Sequence, residues 1–246
     1  PDLASYLEAE RARLDQLYTL DVSQYKSPLD TPEESQWGIS VFRHDNSAGL
    51  RLRWLPVSHG INDDNRQYFS ENELKLSEFT FEWDVRNERL RLHEWQLYSM
   101  RSYIPYDLLT GGISGRFSVS MREQYDASLE ADSAAAIEGA IGFTHSWHPA
   151  IDTYLLIGGG LGHDGDHGYA YGFPELGVIA RLARNYKTHV NLQRVWQQRH
   201  ADIPHNALEI VQAKHWSDWA LLMRYENRWN TRQRDEQFAL ELRRYY

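Results

Sequence analysis

The sequence predicts an all-β fold: an antiparallel transmembrane β-barrel of about 12 strands behind a short N-terminal helix. Three observations carry this. Apolar and polar side chains alternate with period two over most of the chain, very short connections alternate with longer polar ones, and the last strand ends on an aromatic residue.

Composition sets the bounds. The chain has 246 residues and is 41% hydrophobic and 13% aromatic, which excludes a disordered chain. Mean hydropathy is −0.65 and no run of about 18 apolar residues occurs, so no transmembrane helix is encoded. A transmembrane barrel escapes that test, because its strands alternate and average out as hydrophilic. The net charge of −9, with acids and bases intermixed, argues against nucleic acid as a partner. Cysteine is absent, which removes disulfides, thiolate metal sites and a cysteine nucleophile. The sequence calls for no cofactor. It opens at Pro1 with neither methionine nor signal peptide and reads as the C-terminal part of something longer.

Asp2 to Tyr18 carry Leu3, Tyr6, Leu7, Leu14, Leu17 and Tyr18 at roughly helical spacing, with charged residues between them. Asp21 to Glu34 are rich in Ser, Pro, Asp and Thr and read as a linker, so residues 1–36 join a missing upstream domain to a barrel over 37–246. From Trp37 the helical period gives way to alternation. Turn signals place strands near 37–44, 48–56, 72–86, 89–102, 112–125, 135–147, 151–162, 173–184, 186–198, 206–217, 218–230 and 235–246. In the second third of this run, Ile113, Phe117, Val119 and Met121 oppose Ser114, Arg116, Ser118 and Arg122. The fourth strand slips phase near His93–Glu94, as a β-bulge would make it do.

Alternation alone fits a soluble, lipocalin-like binding barrel or a membrane barrel with the faces exchanged. Four features favour the membrane. Connections near His148–Ala150, Asn185 and Ser217–Asp218 are short, while Asp126–Ala134, His163–Tyr171 and Gln198–His205 are longer. The strand number is even, which brings both termini to one side. Trp83, Trp147, Trp196, Trp219, Trp229 and Tyr246 fall near strand ends, where interfacial girdles sit. Phe238, Leu240, Leu242 and Tyr246 share one face of the final strand, with Arg244 placed to snorkel. The expectation is an outer-membrane barrel with both termini periplasmic, Phe117, Val119, Leu221 and Met223 against membrane lipid, and Arg116 and Arg224 inward.

Several clusters invite chemistry. His163, Asp164, Asp166 and His167 have the donor density of a divalent-metal site but no recognised ligand spacing, and a polar turn explains them equally. Ser58-His59 and His145-Ser146 set a hydroxyl beside an imidazole, which raises a phospholipase-like Ser/His barrel. On a strand the two neighbours point to opposite faces, so only Ser58-His59, in a loop, keeps that option. Arginine supplies 22 of the 26 basic residues, and Arg51, Arg53, Arg116, Arg122, Arg181 and Arg224 lie on the polar face. They suit an anionic ligand in the lumen or a lumen held shut by Arg–Glu pairs.

Two connections on the short-turn side are long: Pro56–Glu71 and Tyr103–Gly111. They read either as a docking surface with Ser58, His59, Tyr103 and Asp107 as contacts, or as a plug of the lumen.

The second contains Ser102-Tyr103-Ile104-Pro105-Tyr106-Asp107. That run resembles the Ser-Leu-x-Pro-x-Asp segment in the C-terminal region of the Lnb-like family of Gram-negative bacteria, departing from it at Tyr103. The Phe79–Val85 strand, the run Leu90–Phe117 and Arg11-Ala12-Arg13-Leu14-Asp15 with its Pro-containing linker share the resemblance. What it implies is a periplasmic, cysteine-dependent domain for lipoprotein N-acylation, placed before a C-terminal barrel. With no cysteine here, no catalytic residue carries over; the resemblance implies an architecture, in which the barrel anchors or presents an upstream periplasmic domain of the same protein.

Overall fold

The computed structural model describes residues 3–5, 8, 33–44, 47–107, 111–125, 129, 131–183, 185–198 and 203–246. The helix expected over 2–18 and its linker fall almost wholly outside the described residues.

The described chain runs β1 (Gln36–His44), β2 (Ser47–Leu55), β3 (Val57–His59), β4 (Glu71–Asp84), β5 (Arg89–Tyr103), β6 (Ser114–Tyr125), β7 (Ala131–His148), β8 (Ile151–His163), β9 (Gly168–Ala183), β10 (Tyr186–Gln197), β11 (His205–His215), β12 (Trp219–Trp229) and β13 (Arg234–Tyr245). Successive strands pair antiparallel. β2 pairs with β4, and β13 returns to β1 from Gln36↔Tyr245 to His44↔Gln237, closing the sheet into a 12-stranded barrel. Pro56, which has no N–H to give, separates β2 from the three-residue β3; β3 carries on the same ladder against β4. The expected bulge is present: Thr80 faces Glu94 and Phe81 faces Leu92, leaving His93 unpaired in the ladder. A second shift between Gln96 and Tyr98 displaces Leu97 against β6.

The faces are those of a membrane barrel. Phe117 is 37% exposed and Ser118, its neighbour, 7%. Ile39, Leu52, Ile141, Leu155, Met223 and Leu240 are likewise exposed, whereas Arg116, Glu138, Glu175 and Arg243 are buried. A soluble barrel would place these sets the other way round, so the lipocalin-like alternative is discarded. Apart from the three-residue β3, the strands run from 9 to 18 residues, long enough to span a bilayer core, which takes about 9–11. Rings gather at the terminus end: Trp37 meets Trp219 edge-on at 5.9 Å, and the Trp54 indole donates to Tyr246 at 3.0 Å. Arg244 points outward and lays its guanidinium over Trp219, 5.4 Å from the ring centre, which is how a cation tolerates that face.

The lumen is polar and cross-braced. Arg116 on β6 reaches Glu138 on β7 and Glu175 on β9 (2.5 and 2.8 Å). Glu71 on β4 reaches Arg181 on β9 and Lys187 on β10, on the opposite wall (2.8 and 2.6 Å). Burying a charge costs several kcal/mol unless it is paired, and these partners supply that compensation. β9 begins five residues earlier than the sequence suggests. Its first turns invert the usual pattern: Tyr169, Tyr171 and Phe173 face inward while Ala170 and Gly172 face out. Each inward ring lies over a glycine directly opposite on β8. The same fit recurs between Tyr154 and Gly177, where a Cβ on Gly177 would stand 2.1 Å from the ring.

Candidate functional site

Five connections lie at the end of the barrel that carries the termini: 56–70, 104–113, 149–150, 184–185 and 216–218. The first of them does not project from the mouth. It turns into the lumen and is gripped by the far wall. Lys187, buried on β10, donates to the carbonyls of Ile61 (2.9 Å) and Asp63 (2.7 Å) as well as to Glu71. Ile61 packs with Tyr103, Tyr154, Leu156 and Ile179 from β5, β8 and β9, and the Tyr103 and Tyr154 rings stack at 4.2 Å. Since β4 and β10 stand half a circuit apart, residues 60–65 cross the mouth from wall to wall.

Asp63 is the hub. One carboxylate oxygen accepts from Arg243 (2.6 Å) and Tyr245 (3.0 Å), the other from Gln36 (2.8 Å) and the Gly60 amide (2.6 Å). Burial would raise its pKa, but the charges of Arg243 and Arg53 and the bonds from Gln36 and Gly60 outweigh that and hold it well below the usual carboxylate range. Asn65 fastens the outgoing limb, its amide donating to the carbonyls of Gly60 (3.3 Å) and Asn72 (2.8 Å).

The residues singled out in the sequence divide. Ser58, with φ of 89°, is buried, and its hydroxyl meets His59 Nδ1 at 3.1 Å. His59 Nε2 meets Asn72 Oδ1 at 2.5 Å, and the ring stacks on Tyr68 at 4.6 Å. This serine–histidine–asparagine chain has the outline of a relay, yet Ser58 is 5% exposed and the neighbouring Gly60 N–H is spent on Asp63. What the contacts do is tie β3 to β4 at the root of the plug. Tyr103 is 1% exposed and joins the same plug through Ile61, so it is part of the packing rather than a surface contact. Asp107 lies apart. Residues 105–106 lie along the edge of β7 that β6 leaves uncovered beyond Gly142, with Tyr106 N–H donating to Thr144 O (2.8 Å). Asp107 and Gly111 then exchange two backbone bonds, and Gly112, at φ 146°, passes so close to Pro105 O that a Cβ would stand 2.7 Å away.

His163, Asp164, Asp166 and His167 sit at the other end of the barrel. Asp164 accepts the amides of Asp166 (3.0 Å) and His167 (2.7 Å), and His163 Nδ1 accepts that of Gly165 (3.0 Å). These side chains close a turn; among the described residues no three His, Cys, Asp or Glu side chains converge as a metal site. Between this end and the plug the lumen keeps a cavity of about 300 Å³, lined by both signs of charge, including Arg51, Arg122, Arg224, Glu123 and Glu226. Sequence reasoning missed Ile61, Asp63 and Lys187. A lone isoleucine, Ile61, immediately before the polar run Asn62-Asp63-Asp64-Asn65 was the available signal for an inward turn.

A family model described as a domain of unknown function (DUF7840) matches residues 25–245. The chain belongs to the DUF7840 family. No curated protein matches this DUF7840 chain. Among solved structures it is similar to the NanC porin, at 8% identity and a TM-score of 0.50 over 86% of this chain and 99% of that one. The KdgM porin, solved in complex with disordered oligogalacturonate, gives the same identity, coverage and TM-score. At that identity the likeness is one of fold: the DUF7840 domain has the architecture of outer-membrane porins.

Proposed function

We propose that this domain is a closed outer-membrane anchor whose terminus-side mouth faces the periplasm and presents a partner domain of the same protein there. The observation that carries the reading is the plug. A pore for solutes needs a clear passage, and here residues 60–65 are bonded to β10 and β13 and packed on β5, β8 and β9. The Arg–Glu pairs beyond it brace the lumen rather than clear it. An anchor needs only a stable wall, an apolar belt and a rigid face at the end where its chain leaves, and all three coincide here. The resemblance of the Ser102–Asp107 run to the Lnb-like family agrees with this reading, and the acyl-transferring chemistry it implies would belong to the partner domain. The test is separation of functions in the full-length protein. Glu33→Ala and Phe69→Ala, at exposed positions on the mouth, should weaken the full-length activity while leaving heat-modifiable barrel assembly intact. Unchanged activity in both, with the domain physically separable from the barrel, would refute the anchor.

A further inference from the structure

The plug's outer side holds a second, smaller cavity of about 60 Å³, whose lining includes Glu33, Glu34, Asn65, Gln67 and Tyr68. We propose that it is a socket for one basic side chain, a guanidinium or an ammonium group, offered by the partner domain. This rests on the reading of the mouth as a docking face and names what that face binds.

The chemistry of the lining points one way. Asn65 is 3% exposed, and its amide N–H groups are engaged with Gly60 and Asn72, yet its Oδ1 has no partner. Gln67 Oε1, also buried, has none either. Orphaned acceptors in a buried site cost free energy until a donor arrives. Glu33 and Glu34 add two exposed carboxylates at the rim. Gln36 Nε2, a donor in the lining, is already committed to Asp63. The socket therefore offers acceptors and negative charge, and its complement is a cation carrying several N–H groups. A buried water needs about 10–15 Å³ of such space, so the socket holds a few waters' worth, the scale of a side-chain head group. A bare metal ion fits less well, since the carboxylates and imidazoles among the described residues do not converge on a point.

The experiment titrates the 246-residue chain, folded in detergent, with N-acetyl-arginine amide, and with the uncharged isostere N-acetyl-citrulline amide and calcium chloride as controls. Binding is read by calorimetry. The arginine amide should bind saturably and the citrulline amide should not. Glu33→Gln with Glu34→Gln, at exposed positions that leave the fold alone, should weaken binding roughly three- to tenfold, the scale of one or two solvent-exposed ion pairs. Asn65→Leu should abolish it. Equal binding of both amides, no saturable binding, or calcium binding that the Glu33/Glu34 pair controls would each overturn the socket. A barrel that is closed to ions but binds no arginine amide removes this inference and leaves the anchor standing; a conducting barrel removes the anchor whatever it binds.

Discussion

Residues 118 and 119 face opposite media one bond apart, and they make the sharpest single-site test of orientation. Val119 shares the outer face with Phe117, and Ser118 donates to Glu138 in the lumen at 3.3 Å. Val119→Arg should cost about 2–4 kcal/mol of folding free energy in a bilayer, whereas Ser118→Arg, beside a carboxylate, should cost far less. Equal tolerance would contradict the orientation. Gly177→Ala, which drives a methyl group into the Tyr154 ring, should cost about 1–3 kcal/mol in denaturant titrations. Gly172→Ala on the outer face, with its nearest atom 3.6 Å away, should cost little. The first pair was legible in the sequence, because period two assigns faces without any knowledge of partners. The ring-over-glycine fit was not, because it depends on which glycine the register brings opposite which tyrosine.

At the scale of the element, residues 60–65 are what crosses the mouth of the barrel. Asp63→Asn removes the charge that Arg243 faces; breaking a buried pair costs about 3–5 kcal/mol, moderated here because Glu241 still holds Arg243 at 3.0 Å. Hydrogen exchange should rise across residues 60–65 while the β-ladders stay protected. The same carboxylate should make the plug acid-sensitive. Its pKa is depressed in the folded state, so its stabilisation is complete above the ordinary value of 3.8 and drains away as pH falls through the lower folded value. Asp63→Asn should flatten that acid limb of the stability curve; an unchanged limb would put the sensitivity elsewhere. Most strand edges (the starts of β7 and β9 excepted), the bulge at His93 and the two overlong connections could be read from local pattern. The direction of the plug could not. Lys187 lies 126 residues from Ile61, and only closure of the sheet brings them to 2.9 Å.

Across the whole molecule, the apolar exterior and charged interior make the domain inseparable from lipid. Carbonate or high-salt washing of membranes should leave it in the pellet, and detergent should release it; release by carbonate would end the membrane assignment. Planar bilayer recording decides whether this barrel is shut. The unmodified chain should show no steady conductance at moderate voltage, and replacement of residues 60–69 by a short Gly-Ser linker should produce discrete open steps. Stable open channels from the unmodified chain would contradict the account.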